Sequence, residues 1–508
     1  MTSVNRVERP NVIWAIGGSD SGSGAGVQAD LKTAQNMGVH CCQMITAITA
    51  QNSQSVQSVD AVDVEVLECQ WQALEEDMPP SVIKIGLMAN LDQIQWLAKR
   101  LDGIRRSLWL SQRPVIILDP VLSASCGDVL TDMATHEAVQ VLLCPVVDII
   151  TANWEEAVKL VGLTASSSEA TLIEGLHRIG VESVVLKGGH RPASKNDALK
   201  GYAQDVMSSR GQIYRATSLR HLGNGAHGTG CAFATMMACA LAKSYPLKDA
   251  FVLAKAYVYR GIVNHVPIGK GTPCLGHQSL PDSIHCFPVV EGQQQALCGT
   301  AFPSCNTQSL GLYPVVDSVE WIARLLPLGI KTIQLRIKDK SAPKLRESIK
   351  EANRLAQAHE ARLFINDHWQ IAIEEGCYGV HLGQEDLDSA DLDAIRDANV
   401  RLGVSTHGYW ELLRAIQIKP SYLAIGAIFP TPTKDMTGQI QGVEKLASML
   451  PLVEHTPVVA IGGITRENMD AVLATGVGSI ALVTAITKAA NPELATKQLM
   501  DKVAEYGE

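Results

Sequence analysis

Short runs of apolar, largely β-branched residues recur through the first half of the chain, at residues 12–16, 82–85, 115–118, 147–150 and 184–186. Between them lie longer stretches in which apolar and polar positions mix as on a helix with one buried face. Continuous apolar strands at helix-length intervals predict a mostly parallel sheet with helices on both faces. The apolar stretch 231–242 contains a Thr and is shorter than the ~18 residues of a membrane span, so it predicts a buried helix. The second half carries eight short runs, at 312–316, 332–335, 363–365, 379–382, 402–404, 422–425, 458–461 and 479–483. Eight such runs in one compact half predict a (β/α)8 barrel. Polar residues gather directly after them, among them Asp317, Arg336, Lys338, Asn366, Asp367, Asp386, Ser405, Thr433, Lys434, Gly462, Gly463 and Thr484. That is the rim at which barrel enzymes keep their chemistry. Between the halves, residues 271–308 are rich in Pro, Gly, Gln, Ser and Cys and have no sustained period. They are expected to be a linker between a domain at 1–270 and a second at 309–508.

A chain of 508 residues is beyond the size at which one core keeps growing, which agrees with two domains. Hydrophobic residues make up 46% and charged residues 19%, enough apolar surface for full cores and too little charge for a disordered chain. Lys and Arg number 43 against 52 Asp and Glu, a net charge of -9. No global basic field is therefore expected to collect nucleic acid or an anionic membrane, and small molecules are the expected partners. A homo-oligomer is left open. Residues 1–10 mix charges and lack the apolar core of a secretory signal. The 12 Cys show no CxxC spacing, as expected of reduced thiols in a cytoplasm.

Two glycine-rich segments carry candidate chemistry in the first half. Residues 17–26 (GGSDSGSGAG) follow a strand and open a helix, and glycines there let the backbone approach a ligand. His227-Gly228-Thr229-Gly230-Cys231 runs into the apolar helix. Its free amides would form an anion hole for a phosphate, and the helix dipole is expected to lower the Cys231 thiol pKa toward a general base. In the second half, Gln334, Arg336 and Lys338 alternate, so as a strand they would face one way as an anion clamp. Asp367 and Asp386 are hard oxygen ligands suited to Mg2+. Thr431-Pro432-Thr433-Lys434 adds a cation, and Gly462-Gly463 with Val483-Thr484 supplies backbone donors where barrels commonly bind phosphate.

From residue 11 to 268 the chain resembles the hydroxymethylpyrimidine and phosphomethylpyrimidine kinases of the ribokinase superfamily. The motifs are GGSDSGSGAGVQADLKT, ITAITAQNSQSVQSV, KIGLMAN, ILDPVLSASCGD, VVLKGGH and HGTGC, in that order. The resemblance implies a ribokinase-like α/β domain, with Gln51 as the pyrimidine-binding amide and Gly18 and Asp30 lining the same pocket. It further implies Cys231 as catalytic residue and Lys187 as the cation steadying ATP phosphates. Gly228, Thr229 and Gly230 would form the anion hole, and Asn153 and Glu156 an N-x-x-E element organising Mg2+. The sequence departs from the family pattern at 151–157 (TANWEEA), in the first glycine loop and at Asn224-Gly225-Ala226, while the Asn153 to Glu156 spacing survives.

From about residue 309 onward the chain resembles thiamine-phosphate synthase, through GLYPVVDS, QLRIKD, ARLFINDHW, GVHLGQEDL, LGVSTH, FPTPTK, VAIGGI and ATGVGSIALVTAI. This implies pyrimidine-diphosphate contacts at Gln334, Arg336, Lys338, Asn366, Ser405 and Lys434, and Mg2+ ligands at Asp367 and Asp386. Thiazole-phosphate contacts would fall at Thr431, Pro432, Thr433, Gly463, Val483 and Thr484, the last where Ser is common. The implied chemistry is departure of diphosphate, neutralised by Mg2+, Arg336, Lys338 and Lys434. A ring-stabilised cation would remain, to be captured by the thiazole nitrogen without a protein nucleophile. The expected whole is a bifunctional enzyme of thiamine biosynthesis using ATP and Mg2+. Its rivals are a first domain acting as a pyridoxal-type kinase, or as a non-catalytic ligand-binding domain.

Overall fold

The computed structural model describes residues 11–107, 113–122, 131–191, 200–221, 225–291, 300–339, 344–431 and 440–506. The chain divides into two compact units, 1–281 with 285–295, and 296–508 with 282–284.

The first unit is built on one ten-stranded sheet. In chain order its strands are β1 (Val12–Asp20), β2 (His40–Gln51), β3 (Val56–Ala61), β4 (Val82–Ile85), β5 (Val115–Leu118), β6 (Ile149–Asn153), β7 (Ser183–Lys187), β8 (Tyr202–Ser209), β9 (Gln212–Leu219) and β10 (Val289–Glu291). They lie in the order β10-β9-β8-β7-β6-β5-β4-β1-β2-β3. The six central strands run parallel, as the apolar runs predict, and the edges are antiparallel. β8 and β9 turn through Arg210 and Gly211, both at positive φ (49° and 75°), which suits the twist of a two-residue hairpin. Arg is an unusual residue in that turn, and the polar edge strand β3 (VQSVDA) has no buried run, so neither feature announces itself in sequence. Trp14, Ile16, Trp71, Ile83, Ile116, Ile150 and Val184 belong to one buried core. The apolar stretch forms the helix Thr229–Ala242, whose residues from Ala232 to Ala240 are all buried.

The second unit is a closed barrel of eight parallel strands: β11 (Gly311–Val316), β12 (Thr332–Leu335), β13 (Arg362–Asn366), β14 (Gly379–Leu382), β15 (Arg401–Thr406), β16 (Tyr422–Ile425), β17 (Val458–Ile461) and β18 (Ser479–Leu482). Each of the eight runs read from the sequence falls on one of these strands. Tyr313, Val315, Phe364, Tyr422, Ala424, Val459 and Ala481 cluster in its interior. Large and small residues alternate around the wall. A Cβ on Gly403 would lie 2.1 Å from the Tyr422 ring, and one on Gly379 2.4 Å from the Phe364 ring, so these glycines make room for the aromatics that fill the barrel.

Of the stretch 271–308, expected as a linker, the described residues 271–291 and 300–308 are largely bound into the two units. Gly271 and Thr272 donate to Ser53 at 3.1 and 3.0 Å. Cys274 pairs with Val266 and His227, and β10 extends the sheet edge. In the other unit, Phe302 N donates to Lys419 O at 3.0 Å and Cys305 is buried beside Ser421. Polar, irregular backbone reads as a tether in sequence, but it can equally be satisfied by hydrogen bonds to neighbouring elements. Among the described residues no helix is long and apolar enough to cross a membrane.

Candidate active sites

In the first unit the polar residues stand at the C-terminal ends of parallel strands, where open α/β sheets bind ligands. β1 ends at Asp20, Asp119 follows β5, β6 ends at Asn153 and β7 at Lys187. Asp20 closes the first glycine loop by accepting from the N–H groups of Gly22, Gly24 and Ala25 at 2.8–2.9 Å. The second glycine segment crosses the first. Gly228 sits at φ 88° and caps the helix Thr229–Ala242, and a Cβ on it would lie 2.0 Å from Gly24 O. A Cβ on Gly26 would likewise meet Gly18 O at 2.3 Å. These glycines thus serve the contact between two backbones as well as access for a ligand.

The helix start faces a charged pair. Lys187 Nζ donates to Asp119 Oδ1 at 2.8 Å and Thr151 Oγ1 to the same oxygen at 3.2 Å. A Cβ on Gly230 would lie 3.4 Å from Asp119 Oδ2 and 3.4 Å from Lys187 Nζ. The Gly230 end of the candidate anion hole and the candidate phosphate cation Lys187 therefore meet at one point, with Asp119 beside Lys187. Asp119 was not singled out in sequence, although its place directly after a buried run marks a strand end. Asn153 and Glu156 form a capping box on the helix Trp154–Val161, each side chain accepting from the other's backbone N–H at 2.9 and 2.8 Å. Their spacing is accounted for by helix initiation, and any metal role is additional to it. Burial pushes the Glu156 carboxyl up to about 7, with Lys187 opposing and Asp119 adding.

Two sequence expectations are corrected here. Asp30, expected to line the pyrimidine pocket, is fully buried with both oxygens 2.9 Å from Lys84 Nζ, and it accepts from Thr235 Oγ1 at 2.6 Å. Its carboxylate is occupied by the interior of the protein. Cys231 does stand in the first turn of its helix, but burial pushes its thiol up to about 11 against the pull of Lys84. Desolvation outweighs the helix dipole. Gln51 stands at the end of β2 with its amide Nε2 2.9 Å from His227 Nε2, and Gly18 lies against Leu87, whose Cδ2 is 2.9 Å from a built Cβ.

In the barrel, a buried chain of hydrogen bonds crosses the interior. Gln334 Nε2 donates to Tyr313 OH at 3.3 Å, and the Tyr313 and Tyr422 hydroxyls are 2.9 Å apart. His381 bridges Tyr422 OH (2.7 Å) and Ser405 Oγ (2.8 Å). Burial, with Arg336 and His407 nearby, pushes His381 down to about 3, so the ring is neutral. Since Gln334 enters as a donor, the chain can run one way, ending with His381 donating to Ser405 and the Ser405 hydroxyl proton directed elsewhere. Tyr313 and Tyr422 were not anticipated; a tyrosine inside an otherwise apolar barrel strand is the signal that could have found them. Strand β12 ends at Leu335, so Gln334, Arg336 and Lys338 do not alternate along one strand as expected. Gln334 is buried in the barrel, the Arg336 N–H continues the ladder to Val316 O at 2.7 Å, and Lys338 lies exposed beyond it.

Asn366 is buried at the end of β13, and Asp367 follows at φ 63°, its N–H donating to His381 O at 3.0 Å. Asp386 lies in the short helix Gln384–Leu387, its Oδ2 3.3 Å from a Cβ built on Gly383. Gly463 (φ 66°) lies so close to the loop after β16 that a Cβ would be 2.5 Å from Pro430 O. This contact brings it beside Thr431. Val483 precedes the short helix Thr484–Thr487 at the end of β18. Pro432, Thr433 and Lys434 lie outside the described residues.

Two family models match the chain, phosphomethylpyrimidine kinase over residues 20–275 and thiamine monophosphate synthase over residues 312–486. The thiamine-phosphate synthase of Serratia proteamaculans is 55% identical over 204 residues, 40% of this chain and 96% of that protein. A solved phosphomethylpyrimidine kinase from Clostridium difficile aligns at 27% identity and TM-score 0.41, covering 50% of this chain and 99% of its own. A thiamine phosphate pyrophosphorylase from Pyrococcus furiosus aligns at 33% identity and TM-score 0.36, covering 39% and 96%. Fold, strand-end chemistry and family matches define a two-domain enzyme, a small-molecule kinase joined to a barrel synthase. The chain belongs to the phosphomethylpyrimidine kinase family in its first half and to the thiamine monophosphate synthase family in its second. It is a bifunctional protein of thiamine biosynthesis.

One pH prediction follows from Glu156. Its folded pKa of about 7 exceeds the ordinary 4.5, so between those values the folded state holds a proton that the unfolded chain releases. The contribution of this group to stability is fully present below about 4.5 and is lost as pH rises through about 7. Glu156→Gln keeps the capping acceptor and removes the buried charge. Its melting temperature should gain on that of the wild type as pH goes from 5 to 8, and a pH-independent difference would contradict the assignment.

Proposed function

We propose that the first unit transfers a phosphoryl group from ATP to 4-amino-5-hydroxymethyl-2-methylpyrimidine and then a second to the monophosphate. The second unit then couples the resulting diphosphate to 4-methyl-5-(2-phosphoethyl)thiazole, releasing pyrophosphate and thiamine phosphate. The observation that carries this reading is the meeting of the Gly228–Gly230 helix start with Lys187 and Asp119, at the strand ends that also hold Gln51. Phosphoryl transfer needs mainly positioning and charge stabilisation. The helix amides and Lys187 supply positive charge for the transferring group, and Cys231 in the same first turn is placed to accept the proton of the attacking hydroxyl. Because its thiol pKa is about 11, the thiolate is scarce but strongly basic.

Asp119 and Glu156 in the first unit, and Asp367 and Asp386 in the second, are the carboxylates that would hold Mg2+. The ion would supply neutralisation of phosphate charge. Asp119 fits this use, because Lys187 and Thr151 both donate to Oδ1 while Oδ2 faces the helix start. Among the described residues no group of three or more His, Cys, Asp and Glu is arranged to hold a metal, so phosphate oxygens and water would complete each shell. In the barrel, Arg336 and Lys338, with Lys434, would bind the leaving diphosphate, and the Ser405 hydroxyl would donate to it at the end of the buried chain. Thr431, Gly463, Val483 and Thr484, with Pro432 and Thr433, would hold the thiazole phosphate. No protein nucleophile is required. A cytoplasmic enzyme acting on small molecules is the setting this chemistry implies.

Two substitutions test the assignments unit by unit. Gln51→Leu should weaken pyrimidine binding by about 1–3 kcal/mol and leave ATP binding nearly unchanged, as read by calorimetry with each ligand. Equal losses would remove Gln51 from the pyrimidine site. Asp386→Asn keeps the size of the side chain and should lower synthase turnover by at least about tenfold while raising the Mg2+ requirement. Unaltered Mg2+ dependence would return Asp386 to a structural role.

A further inference from the structure

Two groups converge in the first unit on a single ring nitrogen. His227 Nε2 lies 3.2 Å from Asp20 Oδ2 and 2.9 Å from the Gln51 amide. The ring packs closely on Gly24, where a Cβ would lie 2.3 Å from His227 Cδ2 and 3.3 Å from His227 Cγ. Its backbone is pinned by His227 N donating to Pro273 O at 2.8 Å and Leu275 N to His227 O at 3.1 Å.

Donor and acceptor parity decides what each group does. Against the cost of burial, the His227 contact and the N–H groups of Ala25 and Gly22 hold the Asp20 carboxyl below its ordinary range, so it is an ionised acceptor. His227 Nε2 must then carry the hydrogen, since a lone pair there would face a carboxylate. A hydrogen-bearing Nε2 cannot accept from an amide NH2, so the Gln51 atom facing it has to be the carbonyl oxygen. The two ends of a glutamine amide exchange by a half-turn about its last torsion. The other end agrees. Thr49 Oγ1 spends its one proton on Ser19 O at 3.0 Å and lies 3.4 Å from the second Gln51 position, where it can accept from an NH2.

We infer that His227, oriented by Asp20, is a positioning residue that fixes the Gln51 amide with its carbonyl toward His227 and its NH2 toward Thr49, and thereby sets which heterocycle the kinase accepts. The inference rests on the kinase reading. An aminopyrimidine offers an amino donor beside a ring-nitrogen acceptor, which matches a carbonyl and NH2 presented in one order. The 4-oxo analogue, with a ring N–H, offers the reverse order and meets the wrong atoms.

The experiment compares kcat/KM for the 4-amino substrate and its 4-oxo analogue in wild type and in His227→Leu, which frees the amide to turn. The wild type should prefer the amino compound by at least about 100-fold, and His227→Leu should cut that ratio to below about tenfold, chiefly through KM of the amino compound and improved use of the oxo compound. A purely structural role would lower both substrates together and leave the ratio unchanged, which would overturn the inference. Nitrogen-15 shifts of the wild-type histidines, with the His227 signal assigned by its loss in the variant or by selective labelling, give a second reading. The Nε2–H tautomer is expected, and the Nδ1–H tautomer would overturn the inference without any variant having to fold. A wild type that phosphorylates neither compound would sink the kinase reading instead, while the nitrogen shifts still decide the tautomer.

Discussion

Asp30→Ala is expected to destabilise the first unit by about 3–5 kcal/mol, the cost of leaving one member of a buried ion pair without its partner. Lys84 and Asp30 are 1% and 0% exposed, and their contact is 2.9 Å. The Asp30 carboxylate holds the lysine protonated above its ordinary range. Lys84 sits in the middle of β4, buried on every side, so the ammonium cannot reach water when Asp30 is removed. Thr235 loses its acceptor as well. Chemical unfolding of the variant, followed through the kinase-unit signal, measures the loss. The double variant Asp30→Ala, Lys84→Met should recover most of it, because a buried pair replaced by apolar side chains is often nearly neutral. A single variant as stable as the wild type would show that the pair is hydrated in solution.

Cys231→Ala is expected to lower both phosphorylation steps by at least about 100-fold, the lower end of what a positioned general base contributes, and to leave coupling of supplied pyrimidine diphosphate untouched. The pH profile is the sharper test. With a thiol pKa of about 11, the thiolate fraction grows roughly tenfold per pH unit below that value. Single-turnover phosphorylation by the wild type should therefore rise through pH 7–9, and the variant should lose that rise. Near-normal turnover in Cys231→Ala would leave the thiol a packing role on a helix that is otherwise buried.

The sequence made the barrel legible strand by strand because each of its strands is a short buried run followed by a polar rim, a pattern that needs no knowledge of distant contacts. The parallel centre of the first sheet was legible for the same reason. Its edges were not, since β3 is polar and the β8–β9 turn rests on an arginine at positive φ. Strand-end position marked Arg336 and the family resemblance marked Lys187 and Gln51, but neither said whom their side chains touch. Asp30 shows the difference. The family resemblance implied a pocket position for it, and the fold instead sets its carboxylate against the ammonium of Lys84 on β4. The expected lowering of the Cys231 thiol pKa failed on a competition between two effects, dipole and desolvation, and helix position alone carries information about the first.

The central claim is that one chain performs both phosphorylations and the coupling. It is tested most directly by incubating the purified protein with 4-amino-5-hydroxymethyl-2-methylpyrimidine, ATP, Mg2+ and thiazole phosphate, and following products by mass spectrometry over time. The account predicts successive pyrimidine monophosphate and diphosphate, then thiamine phosphate, with the diphosphate accumulating when thiazole phosphate is left out. Thiamine phosphate formed only when pyrimidine diphosphate is supplied, with the hydroxymethylpyrimidine untouched, would contradict it.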